Sequence, residues 1–390
     1  MLAGAALAAC TSSSDATFRR SVHQRKTPAP SEGPAACEAA GTSNALWATA
    51  IRRGLVYGSS AATWQLADKE YRKLYARESS ILFTEDDLLW YRLRPTPRSN
   101  LDFSYGDEIV RFAESEGMLV LGAHLVWDQG FGKGWKDSDF VTMDEPTARK
   151  LLYGTLDAVV DRYRGRVAAW IVANEVIDAG GLRYDVPWAT LLGDDYVAEA
   201  FHRAHDADPD ALLLLNDYGF ETDNAYTLAA GKRDAMLAFL DSLLDADVPV
   251  QALGIQAHLN ASTFDAFDQD AYRTFLGEVA DRGLTIVITE MDVLDDGLPV
   301  DVRKRDAAIA DVYRTYLDVA LDQPAVASLV TFGLSDRYTW LQEDYPRADG
   351  VARRPLPFDD AMKPTPTYDA LDSALTSAAL RDTFAMPPRC

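Results

Sequence analysis

Between residues 54 and 336 the chain carries eight short apolar runs, each followed by a polar or helical stretch. They are "GLVYGSS" from Gly54, "SSILFTE" from Ser79, "GMLVLGAHLVW" from Gly117 and "VAAWIVANE" from Val167. "ALLLLND" from Ala211, "QALGIQAH" from Gln251, "TIVITE" from Thr285 and "ASLVTFGLSD" from Ala327 complete the set. The runs are nearly continuous rather than alternating. Strands buried on both faces read this way, and parallel sheets bury both faces. Between them lie stretches such as "YGDEIVRFAESEG" and "RDAMLAFLDSLLDADV", apolar at helical spacing. Eight strands, each followed by a helix, predict a (β/α)8 barrel. An open doubly wound sheet is the alternative. It is weakened because "VYGSSAATW", at the first strand, has no G-x-G-x-x-G phosphate loop.

Composition narrows the class of partner. Of 390 residues, 48% are hydrophobic and 25% charged, as in soluble globular proteins. The net charge of −22 argues against nucleic acid or an anionic membrane as the main partner, since both call for a basic surface. No stretch is long and apolar enough for a transmembrane helix.

The first residues, "MLAGAALAACTSSS", resemble a bacterial lipoprotein signal, in which Cys10 is lipidated and becomes the mature N-terminus. No Lys or Arg precedes the apolar run. Residues 1–20 are therefore expected to direct export, to free secretion or to a lipid anchor at the cell surface, and 21–42 to form a disordered linker. Residues 43–390 make one catalytic domain. Cys37 and Cys390 flank it, and a disulfide between them and two unpaired thiols are both open readings.

The runs share a second property: they end in polar residues. These are Glu85, His124, Asn174-Glu175, Asn216-Asp217, Gln256 with His258, Thr289-Glu290 and Asp336. In a parallel barrel all C-terminal strand ends lie on one face, where active sites sit. One such residue is readily a helix cap, the reading open for Asp217. Seven are harder to explain that way. Glu175 after the fourth strand and Glu290 at the seventh would face one another across the mouth. Paired carboxylates are the equipment of glycoside hydrolysis, one protonating the leaving oxygen and the other attacking the anomeric carbon or activating water. That chemistry needs no metal or cofactor. Metal-dependent hydrolysis is a rival, with only His124 and His258 nearby as nitrogen ligands. Serine chemistry lacks its G-x-S-x-G elbow.

Five segments carry a resemblance. "WIVANEVID" is similar to the acid/base segment W-D-V-V-N-E of glycoside hydrolase family 10, the xylanase family, and "VITEMDV" to its nucleophile segment I-T-E-L-D. "LGIQAHL" resembles G-x-Q-S-H, "LLNDYGFE" resembles Y-N-D-Y-N-x-E, and "GAHLVWD" resembles G-H-T-L-V-W-H. Their order holds from Leu46 to the closing "PLPFDDAMKPTPTYDAL". The resemblance implies a retaining, endo-acting β-glycosidase, monomeric, acting on β-linked oligo- or polysaccharide. It implies Glu175 as general acid/base, Glu290 as nucleophile, His258 hydrogen-bonded to Glu290, Asp292 orienting the imidazole, and Asn174 on the sugar 2-hydroxyl. Glu85, Asp86, Trp127, Gln256, Phe332 and Trp340 are implied substrate contacts. We expect repulsion between the two glutamates to raise the carboxyl that lacks hydrogen-bond support, which assigns Glu175 the proton.

The departures gather on the glycone side. The family's T-P-E-N-E-M-K-W becomes "FTEDDLLW", so Asn becomes Asp86 and a sugar-binding Lys becomes Leu89. The third-strand His becomes Ala123, with His124 one place along and expected on the other face of the strand. A second His becomes Asp128, and the roofing Trp after the eighth strand becomes Phe332. Each lost charge-assisted hydrogen bond costs roughly 1.5–3 kcal/mol. Two readings follow: variation within a xylanase, or a pocket altered for a bulkier sugar, as in tomatinase-like members that remove an oligosaccharide from a plant saponin. A non-catalytic glycan-binding lipoprotein is the alternative of another class. The acidic run "LDDGLPVDVRKRD" reads as a solvated loop and helix start, and Tyr218 and Tyr338 as packing.

Overall fold

The computed structural model describes residues 43–223, 228–381 and 385–386. The lipoprotein-like segment with Cys10, the linker, Cys37 and Cys390 lie outside the described residues. Eight parallel strands form the core: β1 (Val56–Ala61), β2 (Ile81–Thr84), β3 (Leu119–Gly122) and β4 (Ala169–Asn174). β5 (Leu212–Asp217), β6 (Ala252–Ile255), β7 (Thr285–Leu294) and β8 (Val326–Thr331) follow. Each pairs with the next, and β8 pairs with both β7 and β1, which closes the barrel. All eight runs read from the sequence fall on these strands.

Both faces are buried, and this explains the continuous apolar runs. Val56, Ile81, Phe83, Leu119, Leu121, Ala169, Ile171, Leu214, Ala252, Val287 and Val330 fill the barrel interior. Their neighbours Tyr57, Leu82, Val120, Trp170, Leu213, Leu253, Ile286 and Leu329 pack outward under the helices. Aspartates start several of those helices. Asp68, Asp144, Asp268 and Asp301 accept backbone N–H groups at the N-termini of Lys69–Glu78, Glu145–Tyr163, Gln269–Asp281 and Val302–Ala320. Part of the acidic excess is therefore capping. The described ends meet at the barrel base, where Arg381 N donates to Arg53 O at 3.0 Å. Among the described residues no helix is long and apolar enough to cross a membrane.

Two expectations change. Asp217 is not a cap: it is fully buried, bonded to Lys232 Nζ at 2.6 Å and accepting from Ile177 N at 3.2 Å. The run "LDDGLPVDVRKRD" does start a helix at Asp301, but it is not all solvated. Asp295 is fully buried among three arginines, with Arg353 Nη1 at 2.7 Å, Arg347 Nη1 at 3.4 Å and Arg305 Nη1 at 3.6 Å. Arg347 and Arg353 come from roughly fifty residues downstream, so local charge density gave no sign of them.

Candidate active site

Every barrel strand delivers its last residues to one mouth, and backbone irregularities aim the two glutamates into it. Against β5, β4 places an extra residue between Ile171 and Ala173, immediately before Asn174 and Glu175. Against β8, β7 places an extra residue between Ile288 and Met291, the stretch that holds Thr289 and Glu290. A bulge re-aims the side chains beside it. Glu175 also takes a left-handed conformation, with φ of 57°, an uncommon state for a residue with a Cβ. Its backbone is held from both sides: Glu175 N donates to Asn216 O at 3.0 Å, and Arg183 Nη1 donates to Glu175 O at 3.0 Å. Arg183 also reaches Asp128 at 3.2 Å.

A relay of side-chain amides joins the two carboxyls. Asn216 Nδ2 donates to Glu290 Oε1 at 2.7 Å and to Asn174 Oδ1 at 2.8 Å. Gln256 Nε2 donates to Asn174 Oδ1 at 3.3 Å and to Glu175 Oε1 at 2.9 Å. Thr289 Oγ1 fixes the other side of Asn216 at 2.8 Å. A Cβ on Gly254 would lie 2.2 Å from Asn216 Oδ1, so glycine in β6 is what lets this amide lie flat across the barrel. Buried Asn174 Nδ2 is left without a partner, a donor aimed where a ligand would complete it.

The two carboxyls are in opposite electrostatic states. Glu175 is pushed up to about 7, first by burial and then by the charge of Asp217, with Glu290 a smaller contribution. It is well supported by hydrogen bonds: Trp127 Nε1 donates to Oε2 at 3.0 Å and Gln129 Nε2 at 3.4 Å, besides Gln256 on Oε1. The expected cause, mutual repulsion acting on an unsupported carboxyl, is thus corrected: burial outweighs three favourable donors. Burial would also raise Glu290, but the hydrogen bond and charge of His258, then His124 and Asn216, hold it below the ordinary carboxylate range. His258 Nε2 lies 3.4 Å from Glu290 Oε2 and Nδ1 lies 2.9 Å from Asp292 Oδ1. Burial opposes its charge, yet the two carboxylates push His258 to about 10. Asp292 is fixed in turn by Trp340 Nε1 at 2.7 Å. Trp127 and Trp340, expected as sugar contacts, are thus hydrogen-bonded to Glu175 and to Asp292, the carboxylate behind His258.

The other side of the mouth is aromatic. Phe332 sits 5.5 Å from His258 and 6.1 Å from Trp340, ring centre to ring centre. Phe83 lies 5.8 Å from both Phe332 and His124, and His124 lies 4.9 Å from Trp127. His124 is thus in the site, not behind it. Strand β3 ends at Gly122, so the two-residue alternation used to place His124 no longer applies. Burial drops its imidazole to about 4, and Nδ1 has no partner. Phe83 and Ala123 belong to the buried cluster of the barrel interior, and Phe332 packs against it. Leu89 is buried. Glu85 accepts from Ser60 Oγ at 2.7 Å and Gln65 Nε2 at 3.0 Å, and burial followed by the Asp86 charge raises it to about 8. Asp86 accepts from Trp64 Nε1 at 2.9 Å. The Asp217–Lys232 pair behind Glu175, the two bulges and the Trp64–Asp86 contact leave no mark in the apolar pattern or in the motifs of the sequence. Among the described residues no group of three His, Cys, Asp or Glu side chains could hold a metal ion.

A closed parallel barrel with two buried carboxyls at its C-terminal mouth is the arrangement that two-carboxylate glycoside hydrolysis requires. The model of glycosyl hydrolase family 10 matches residues 45–374, and the chain belongs to that family. It is 30% identical over 312 residues to endo-1,4-beta-xylanase B of Thermotoga neapolitana, covering 79% of this chain and 84% of the relative. To endo-1,4-beta-xylanase B of Paenibacillus barcinonensis it is 32% identical over 277 residues, covering 68% and 80%. The structure of xylanase 10B from Thermotoga petrophila RKU-1 in complex with xylobiose superposes with a TM-score of 0.74 at 29% identity, covering 85% of this chain and 97% of that one. The protein is an endo-1,4-β-xylanase-like glycoside hydrolase.

Proposed function

We propose that the chain hydrolyses β-1,4-linked xylan-type polysaccharide from within, with retention, by double displacement between Glu290 and Glu175. In the first step a Glu290 oxygen bonds to the anomeric carbon while the glycosidic bond breaks, and the Glu175 proton passes to the departing oxygen. In the second step Glu175, now ionised, takes a proton from water. That water's oxygen bonds to the anomeric carbon, Glu290 leaves, and Glu175 is protonated again. The observation that carries this reading is the opposite state of the pair. Burial raises Glu175 to about 7, which favours the acid form, while His258, pushed to about 10 and 3.4 Å from Glu290, favours the ionised form of Glu290. Asn174 Nδ2, the unfilled donor between them, is assigned to a hydroxyl of the sugar being cleaved.

The likeness to endo-1,4-beta-xylanases supports the xylan reading over one built for a larger sugar. The test is proton NMR of early products from xylan, β-1,4-xylo-oligosaccharides, aryl β-glucosides and a saponin. The expected first product is the β-anomer from the xylan-type substrates. An α-anomer first, or turnover of the saponin alone, would overturn the assignment. Export through the segment ending at Cys10 belongs to the same proposal, since a polymeric substrate stays outside the cell. Radiolabelled fatty acid incorporated into the wild type but not into Cys10→Ala would support the anchored form.

A further inference from the structure

The mechanism leaves one large aromatic at the mouth unused. Trp64 is 49% exposed, on the segment that follows β1. A single exposed aromatic is ordinary on a protein surface, but this one is held in place from several sides. Its Nε1 donates to Asp86 Oδ2 at 2.9 Å, and its ring meets Tyr338 edge-on, 5.6 Å between centroids and 83° between planes. Tyr338 is itself fixed by its hydroxyl on Asp68 at 2.8 Å. The residues on either side of Trp64 are tied to the end of β2. Thr63 N and Oγ1 donate to Asp87 at 2.7 and 2.9 Å, and Gln65 Nε2 donates to Glu85 at 3.0 Å.

The indole is thus rigid before any ligand arrives. It lies against Asp86, the carboxylate that stands where the family has an asparagine. A preordered aromatic surface loses little side-chain entropy on binding, and an apolar plane beside a hydrogen-bond acceptor matches a pyranose, which has a C–H face and a hydroxyl rim. We propose that Trp64 adds a distal glycone-side subsite, in which its indole stacks on a pyranose ring of a β-linked oligosaccharide beside the sugar contact that the resemblance implies for Asp86. The subsite rests on the endo-acting reading above, since only an oligomer spans both it and the glutamates. It also gives the chain binding energy on the side where Leu89 replaces a charged donor.

The experiment compares kcat/KM for β-1,4-xylohexaose with that for an aryl β-xyloside, whose single sugar ends at the cleavage point. In Trp64→Ala the ratio of the first to the second is expected to fall about threefold to tenfold. Trp64→Phe should return most of it. Equal losses on both substrates would mean that Trp64 only supports the loop, and an unchanged ratio would mean that no sugar stacks there; either overturns the subsite and leaves the catalytic reading intact. A wild type inert on both probes would overturn the subsite together with the reading beneath it.

Discussion

At the ends of β4 to β7, amide and carboxyl groups hold one another: Glu290, Asn216, Asn174, Gln256 and Glu175 form one hydrogen-bonded chain, with His258 and Asp292 behind Glu290. At the ends of β2, β3 and β8, rings hold one another: Phe83, His124, Phe332 and Trp127 pack edge to face or at a tilt. The first region has two bulges and a left-handed glutamate. Directional bonds demand such backbone precision, because a donor displaced by half an ångström or a few tens of degrees is largely lost. Ring packing tolerates more. Most segments that resemble the family's lie in the bonded region, and two of the departures, Ala123 and Phe332, lie in the ring-packed one.

The largest effect that would break this contrast is at the acid/base. Glu175→Ala should lower kcat/KM on xylan by roughly 10²–10⁴-fold, the usual worth of a placed proton donor. A dinitrophenyl β-xyloside, whose leaving group needs no proton, should be affected far less in its first step, and azide should speed its turnover. A uniform loss on both substrates would sink the role. Next in size, His258→Asn removes the charge that offsets the burial of Glu290. A charge-assisted hydrogen bond of this kind contributes roughly 1.5–3 kcal/mol, about tenfold to a hundredfold in kcat/KM. The sign in pH follows. Glu290 must be ionised, so its raised pKa moves the acid limb of the kcat/KM profile to higher pH. An acid limb that stays put would separate His258 from the nucleophile.

The aromatic region predicts smaller and differently distributed losses. Phe332→Leu keeps an apolar surface and removes a ring, so KM on xylan should rise roughly threefold to tenfold while kcat is nearly kept. A fall in kcat as large as the rise in KM would place Phe332 with the chemistry and erase the division.

Much of this was legible in the sequence, for stated reasons. The eight strands could be read because a parallel barrel buries both faces of each, and Glu175 and Glu290 because they close apolar runs on one predicted face. The bulges could not be read, since one extra residue in a buried run changes no apolar pattern. His124 was misplaced because β3 ends at Gly122, where alternation stops carrying information. Arg347 and Arg353, beside Asp295, come from more than fifty residues downstream, and Lys232 reaches Asp217 from the helix that follows its strand, so both aspartates looked like surface or capping residues.

Asp217 supplies the smallest and most specific prediction. Its carboxylate holds Ile177 N at 3.2 Å, two residues beyond Glu175, and Lys232 compensates its charge at 2.6 Å. After burial, its negative charge is the strongest influence raising Glu175. Asp217→Asn keeps an acceptor for the Ile177 N–H and deletes that charge, whether Lys232 stays protonated or not. Glu175 is then easier to ionise. The acid/base must carry its proton in the first step, so activity is lost as pH rises through its pKa. The basic limb of kcat/KM should therefore move to lower pH, by on the order of one unit or less, while the acid limb, set by Glu290, holds. A basic limb that moves upward, or both limbs moving together, would show that the pH dependence is set by something other than the field behind Glu175.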